Sequence, residues 1–147
     1  MIKNMDISST TIDIGGKTLH LETGRFAERA SAAVTARIGD TMAIVTVVMG
    51  RANEGLGYFP LSVEYQEKLY AGGKIKGSRW VKRDGRPSDE AVLKGRVIDR
   101  TIRPLFPQGL INEVQVVATI LSADGENDAD MVALYAASAA LMGSQIP

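Results

Sequence analysis

The clearest signal in the chain is a run of short segments in which apolar and polar residues alternate. Thr10 to Ile14 alternates Thr, Ile and Asp up to Gly15-Gly16, and Lys17 to Glu22 resumes the alternation with Leu19 and Leu21 on one side. A glycine pair between two alternating runs predicts a β-hairpin. Arg25 to Ala32 is polar and small. Ala33 to Ile38 and Thr41 to Met49 then form a second strand, turn, strand unit around Gly39-Asp40. Within it, Met42 to Val48 is almost wholly apolar and β-branched, the pattern of a strand covered on both faces. A Gly-rich connection over 50–59 leads to a short alternating strand, Leu61 to Tyr65.

Helical signals begin only after Pro87. Ser88 is a candidate N-cap, Asp89 and Glu90 suit the positive end of a helix, and Arg103-Pro104 marks an exit, so a helix is expected from Asp89 to Ile102. Spacing residues at about 100° puts Leu93, Val97, Ile98 and Ile102 on one half, expected to be buried, and Arg96, Asp99, Arg100 and Arg103 in a stripe on the other. A near-continuous apolar strand, Val114 to Leu121, follows. After the acid-rich stretch Asp124 to Asp130 comes an Ala-rich helix from Met131 to Met142. Strand hairpins followed by helix, strand and helix give an α+β layered domain.

Composition narrows the class. The chain has 147 residues, is 45% hydrophobic and contains no cysteine. One core is affordable at this length, and neither a disulfide nor a thiolate metal site can contribute. No apolar stretch has the length of a signal-peptide core or of a membrane span, so a cytoplasmic protein without membrane contact is expected. Net charge is zero, but it is unevenly spread. Ten of the seventeen Lys and Arg residues lie between Lys74 and Arg103 against four acids, which leaves this segment at +6 and the other 117 residues at −6. A basic block in an acidic frame points to a polyanionic partner.

That block begins with a glycine-punctuated loop carrying Lys74, Lys76, Arg79, Trp80, Lys82, Arg83 and Arg86. Cations interleaved with an aromatic can track a phosphate backbone and stack a base. The competing readings are structural: Trp80 as a core or interface anchor, and the helix arginines as a solvated face with Asp99 pairing to Arg96 and Arg103. Other candidate chemistry is weaker. Gly16-Lys17-Thr18 resembles the end of a phosphate-binding loop but has Thr11 where a glycine is required. His20, the only histidine, has no Ser, Cys or second His nearby in sequence and reads as a solvated strand residue. Asp124, Glu126, Asp128 and Asp130 lack the calcium-loop offsets and read as acids preceding a helix.

Several segments together, Leu21-Glu22-Thr23-Gly24, Tyr58-Phe59-Pro60-Leu61, Tyr65-Gln66-Glu67, Asp84-Gly85-Arg86-Pro87-Ser88, Arg96 through Pro107 and Asn112-Glu113-Val114-Gln115-Val116, resemble the bacterial polynucleotide phosphorylase family. The resemblance runs from about Leu19 to Pro147. It implies a first RNase PH-like domain of the ribosomal protein S5 domain 2-like type, incomplete at its C-terminus, with a second RNase PH-like domain and KH and S1 domains expected outside this chain. It also implies an enzyme that degrades RNA from the 3′ end with inorganic phosphate as co-substrate, releasing nucleoside diphosphates in mRNA degradation. The implied assembly is a homotrimeric ring, with possible partners in an RNA-degradation complex. The Mg²⁺ ligands belong to the second domain, so no catalytic or metal residue is expected here and the isolated segment is expected to be inactive.

Carried over by position, the residues facing single-stranded RNA are Trp80, Lys82, Arg83 and Arg86 in the loop, with Arg96, Arg100 and Arg103 on the helix behind it. The chain departs from the family pattern at Val81, where a second aromatic is usual, at Lys82, where arginine is usual, at the additional Arg79, and at Thr101, commonly proline. Two functional readings follow: an RNA-guiding and ring-building part of a phosphorolytic exoribonuclease, or a stand-alone RNA-binding module. A third, a complete single-domain phosphorolytic enzyme, is disfavoured by length and by the lack of a metal site in the sequence.

Overall fold

A computed structural model describes residues 6–52, 54, 55, 57–75 and 85–147. Six strands form one sheet: β1 (Ser8–Ile14), β2 (Lys17–Thr23), β3 (Ala32–Ile38), β4 (Thr41–Ala52), β5 (Leu61–Glu67) and β6 (Asn112–Ser122). The order across the sheet is β1-β2-β3-β4-β6-β5. All neighbours are antiparallel except β5 and β6, which run parallel with Leu61 opposite Val114 and Glu67 opposite Ile120. The helix α1 (Asp89–Ile102) makes the crossover between them, and α2 (Ala129–Met142) follows β6.

The local chemistry anticipates most of these boundaries. Gly15 and Gly16, both at positive φ (60° and 79°), turn β1 into β2, the backbone twist that a two-residue hairpin needs. Ser88 caps α1 by accepting a hydrogen bond from Ala91 N at 3.1 Å, and Asp89 and Glu90 occupy the first turn.

Burial departs from the sequence expectation in two places. Both helices lie on one face of the sheet, where Ile98 and Ile102 of α1 and Val132 and Ala136 of α2 join Val34, Val45, Val116 and Tyr65 in a single core. Of the β4 run read as covered on both faces, only Ala43, Val45 and Val47 are buried; Met42, Ile44 and Thr46 on the other face are half-buried and Val48 is exposed. The second departure is α1 itself, whose buried residues are Ala91, Gly95, Ile98 and Ile102. Leu93 and Val97, expected inside, are 60% and 44% exposed. The helix turns its small residues to the sheet because it lies close to β5: a Cβ at Gly95 would sit 3.6 Å from Val63 O and from Tyr65 Cβ. Larger side chains would hold the two elements apart.

The acid-rich stretch before α2 is a structural clasp. The Asp124 carboxylate accepts hydrogen bonds from Asp40 N, Thr41 Oγ1, Glu126 N, Asn127 N and Asn127 Nδ2 at 2.7–3.1 Å. Thr41, fully buried, also accepts from Asp124 N, and Lys17 Nζ donates to Asn127 Oδ1. The donors from Asn127 and Glu126 hold the Asp124 carboxyl well below the usual carboxylate range. A depressed folded pKa gives a stabilisation that is complete at neutral pH and is lost as pH falls through the folded value. Asp124→Asn should therefore melt below the parent at pH 7, with the gap closing below about pH 4, the range in which an ordinary carboxyl protonates. Thermal melts across pH check this, and a gap independent of pH would exclude the ionised clasp.

Candidate nucleic-acid interface

Because β5 and β6 are parallel, their C-terminal ends share one edge of the sheet, and ligands of sheets with parallel strands commonly bind beyond such ends. A 3-10 turn, Leu69–Gly72, follows β5 at that edge. It is pinned by Ala71 N to Lys68 O, Gly73 N to Tyr70 O and Lys74 N to Leu69 O, while Ala123 N, just beyond β6, donates to Ala71 O. Gly73, at φ 68°, permits the reversal that ends the turn. Between this turn and the start of α1 lies a cleft of about 680 Å³. A narrower one of about 380 Å³ continues between β5 and α1 toward Arg96 and Arg103.

The described cations of the basic block divide into two groups. Lys74, Arg86, Arg96 and Arg100 are exposed. Lys94 and Arg103 are committed to the protein. Lys94 Nζ bonds Glu67 at 2.9 Å and Glu90 at 3.0 Å and lies 5.7 Å from the centre of the Tyr65 ring. Burial alone would lower its pKa, but the two carboxylates outweigh that effect and hold the ammonium above its ordinary range. Tyr65 beneath it is 4% exposed, and burial pushes its phenol up to about 12.

Arg103 is held by groups of the protein. Sequence reading set it among the residues facing RNA, yet its Nε and Nη2 bond both oxygens of Asp99 (3.1 and 2.5 Å), Nη1 donates to Phe59 O and Nη2 to Leu61 O, each at 3.2 Å. Its guanidinium also stands 5.9 Å from the Phe59 ring, which packs on Phe106 at 4.8 Å. The pairing of Asp99 with Arg103 is thus present. Arg103 ties the entrance of β5 to the end of α1, and losing it strands two carbonyls and a carboxylate. Arg103→Met should cost about 1–2 kcal/mol, discounted for a side chain that is 41% exposed. The salt dependence of RNA binding should not change; a flatter salt slope would return Arg103 to the RNA-facing set.

Trp80, Lys82 and Arg83 lie outside the described residues. Residues that sequence reading passed over are Leu69 and Tyr70, large and half or more exposed on the pinned turn; the signal was their place just before Gly72-Gly73. Among the described residues no group of three His, Asp or Glu is arranged to hold a metal ion, and no helix is long and apolar enough to cross a membrane.

Comparison with known proteins decides the family. Residues 15–147 match the model described as "3′ exoribonuclease family, domain 1", RNase PH. The chain belongs to the RNase PH family. A polyribonucleotide nucleotidyltransferase of Geobacter sp. (strain M21) is 56% identical over 133 residues, 90% of this chain and 19% of the relative. One from Chloroflexus aurantiacus is 54% identical over 143 residues, 97% of this chain and again 19% of the relative. The chain therefore spans about a fifth of the length of these relatives. Among solved structures, the Archaeoglobus fulgidus exosome with RNA bound to its active site superposes with a TM-score of 0.61 at 22% identity, covering 88% of this chain and 52% of that one. Rice Rrp46 gives 0.59 at 17% identity, covering 99% and 58%. At those identities the likeness establishes the fold, and the RNase PH-like α+β domain expected from sequence is the one observed.

Proposed function

We propose that this RNase PH domain is the first such domain of a polynucleotide phosphorylase, guiding single-stranded RNA and building a homotrimeric ring in the cytoplasm. The observation that carries the reading is a set of exposed cations: Lys74 and Arg86 line the cleft at the ends of parallel strands, and Arg96 and Arg100 stand on α1. Identity above 50% to nucleotidyltransferases supports it. In the proposed reaction an oxygen of inorganic phosphate attacks the terminal phosphodiester phosphorus and the bond to the preceding 3′ oxygen breaks. A nucleoside diphosphate leaves, and the shortened RNA regains a 3′ hydroxyl. Mg²⁺ would screen charge on the transferring phosphorus from carboxylates of a second RNase PH-like domain. The residues described here do not supply such a set, so no catalytic step is assigned to them. Exposed apolar side chains on and after the helices, Leu93, Val97, Leu105 and Met142, favour burial against further subunits or domains over a stand-alone module.

Replacing Arg96 and Arg100 together with Ser should raise KM for oligoadenylate roughly tenfold, the share of two phosphate contacts at moderate salt, and leave kcat unchanged. Nucleoside diphosphate release by the full-length protein measures both constants. An unchanged KM would mean that the helix face does not meet RNA.

A further inference from the structure

The cleft between the Leu69–Gly72 turn and the start of α1 has a construction of its own. Its volume, about 680 Å³, falls within the roughly 300–1,000 Å³ of small-ligand sites. Its walls combine two exposed cations, Lys74 and Arg86, with the apolar surfaces of Leu69 and Pro87. Glu67, also in the wall, bonds Lys94, which it shares with Glu90. Tyr65 contributes to the wall as well. An extended basic track would need only the cations. A recess with apolar walls beside those cations is suited to something flat and partly apolar with a phosphate attached.

We propose that this cleft is a nucleotide subsite. It takes one unstacked base of single-stranded RNA between Leu69 and Pro87, with the adjoining phosphate on Lys74 and Arg86. The proposal rests on the RNA-guiding reading and adds to it a site that recognises a base, where the exposed arginines of α1 recognise only backbone. The turn that forms one wall is fixed by four backbone hydrogen bonds, so the subsite exists before RNA arrives.

Two glycines make the test clean. Gly72 and Gly85 both line the cleft, neither has a positive φ, and a Cβ at either meets nothing within 4 Å. Gly72→Leu, with Gly85→Leu as an independent second variant, should fill the cleft without disturbing the fold. Gly57→Leu, equally unobstructed and outside the cleft, serves as the control. The probes are a fluorescent 12-nucleotide oligoadenylate and an abasic ribose-phosphate oligomer of the same length, titrated against the full-length protein at several salt concentrations. Filling the cleft should weaken oligoadenylate binding about tenfold, the scale of one lost base-stacking contact, with an unchanged salt slope and unchanged affinity for the abasic oligomer. The inference is overturned if both filled variants bind both oligomers as the parent does while Arg86→Ser still weakens binding; RNA then follows the basic face and leaves the cleft empty. Equal weakening of the two oligomers also overturns it, because the base is then irrelevant. If neither the filled variants nor Arg86→Ser alter either affinity, the RNA-guiding reading fails and the subsite with it.

Discussion

Gly39→Ala should lower stability by about 2–4 kcal/mol. Two costs combine. Gly39 holds φ 59° in the β3–β4 turn, a conformation that costs an L-residue about 1–2 kcal/mol. Its new Cβ would also lie 2.7 Å from Asn127 Nδ2 and 2.8 Å from an Asp124 carboxylate oxygen, closer than real Cβ atoms come. The clasp that ties this turn to the start of α2 must open to admit it, and Thr41, fully buried below, loses its partners. Gly15→Ala separates the two costs. Gly15 has nearly the same φ, 60°, with nothing within 4 Å of the added carbon, so it should lose only the conformational part, about 1 kcal/mol. Denaturant unfolding of both variants measures the difference, and equal losses would show that crowding at the clasp contributes nothing.

The second large effect concerns RNA. Replacing Lys82, Arg83 and Arg86 with Ser should flatten the slope of log affinity against log salt by about two, since each single-strand phosphate contact contributes about 0.7. Near 0.15 M salt the same loss corresponds to roughly fiftyfold weaker binding of poly(A). Trp80→Ala should behave differently, weakening binding by about 1–3 kcal/mol if the indole stacks a base and leaving the salt slope intact. Lys82, Arg83 and Trp80 lie outside the described residues, so these outcomes rest on family resemblance and on the charge of the block. Titration of labelled poly(A) against the full-length protein decides between them. An unaltered slope in the triple variant would make the block a solvated or intersubunit face, as its charge pattern alone also allows.

The sequence by itself determined every element that local interactions can set. Gly15-Gly16 and Gly39-Asp40 mark their turns because few other residues accept positive φ, and Ser88 and Pro104 bracket α1 because capping and the missing proline N–H act within one helical turn. The strands were legible as apolar or alternating runs, and the six segments from Leu21 to Val116, above all Arg96 to Pro107, indicated the family. Tertiary structure decided which faces are used. α1 carries apolar residues on two sides, and periodicity favoured the larger Leu93 and Val97; the close approach to β5 at Gly95 gave the buried side to Ala91, Gly95, Ile98 and Ile102 instead. Arg100 and Arg103 are chemically identical and three residues apart. Only the carbonyls of Phe59 and Leu61, more than forty residues upstream, make one an internal tie while the other stays in solvent. In the same way Asp124 differs from Glu126 and Asp128 because Asp40 and Thr41, brought beside it by the pairing of β4 with β6, supply donors across more than eighty residues. Propensity, capping and turn chemistry act over a few residues and can be read along the chain, whereas the role of a charged or apolar side chain depends on partners that only folding brings within reach.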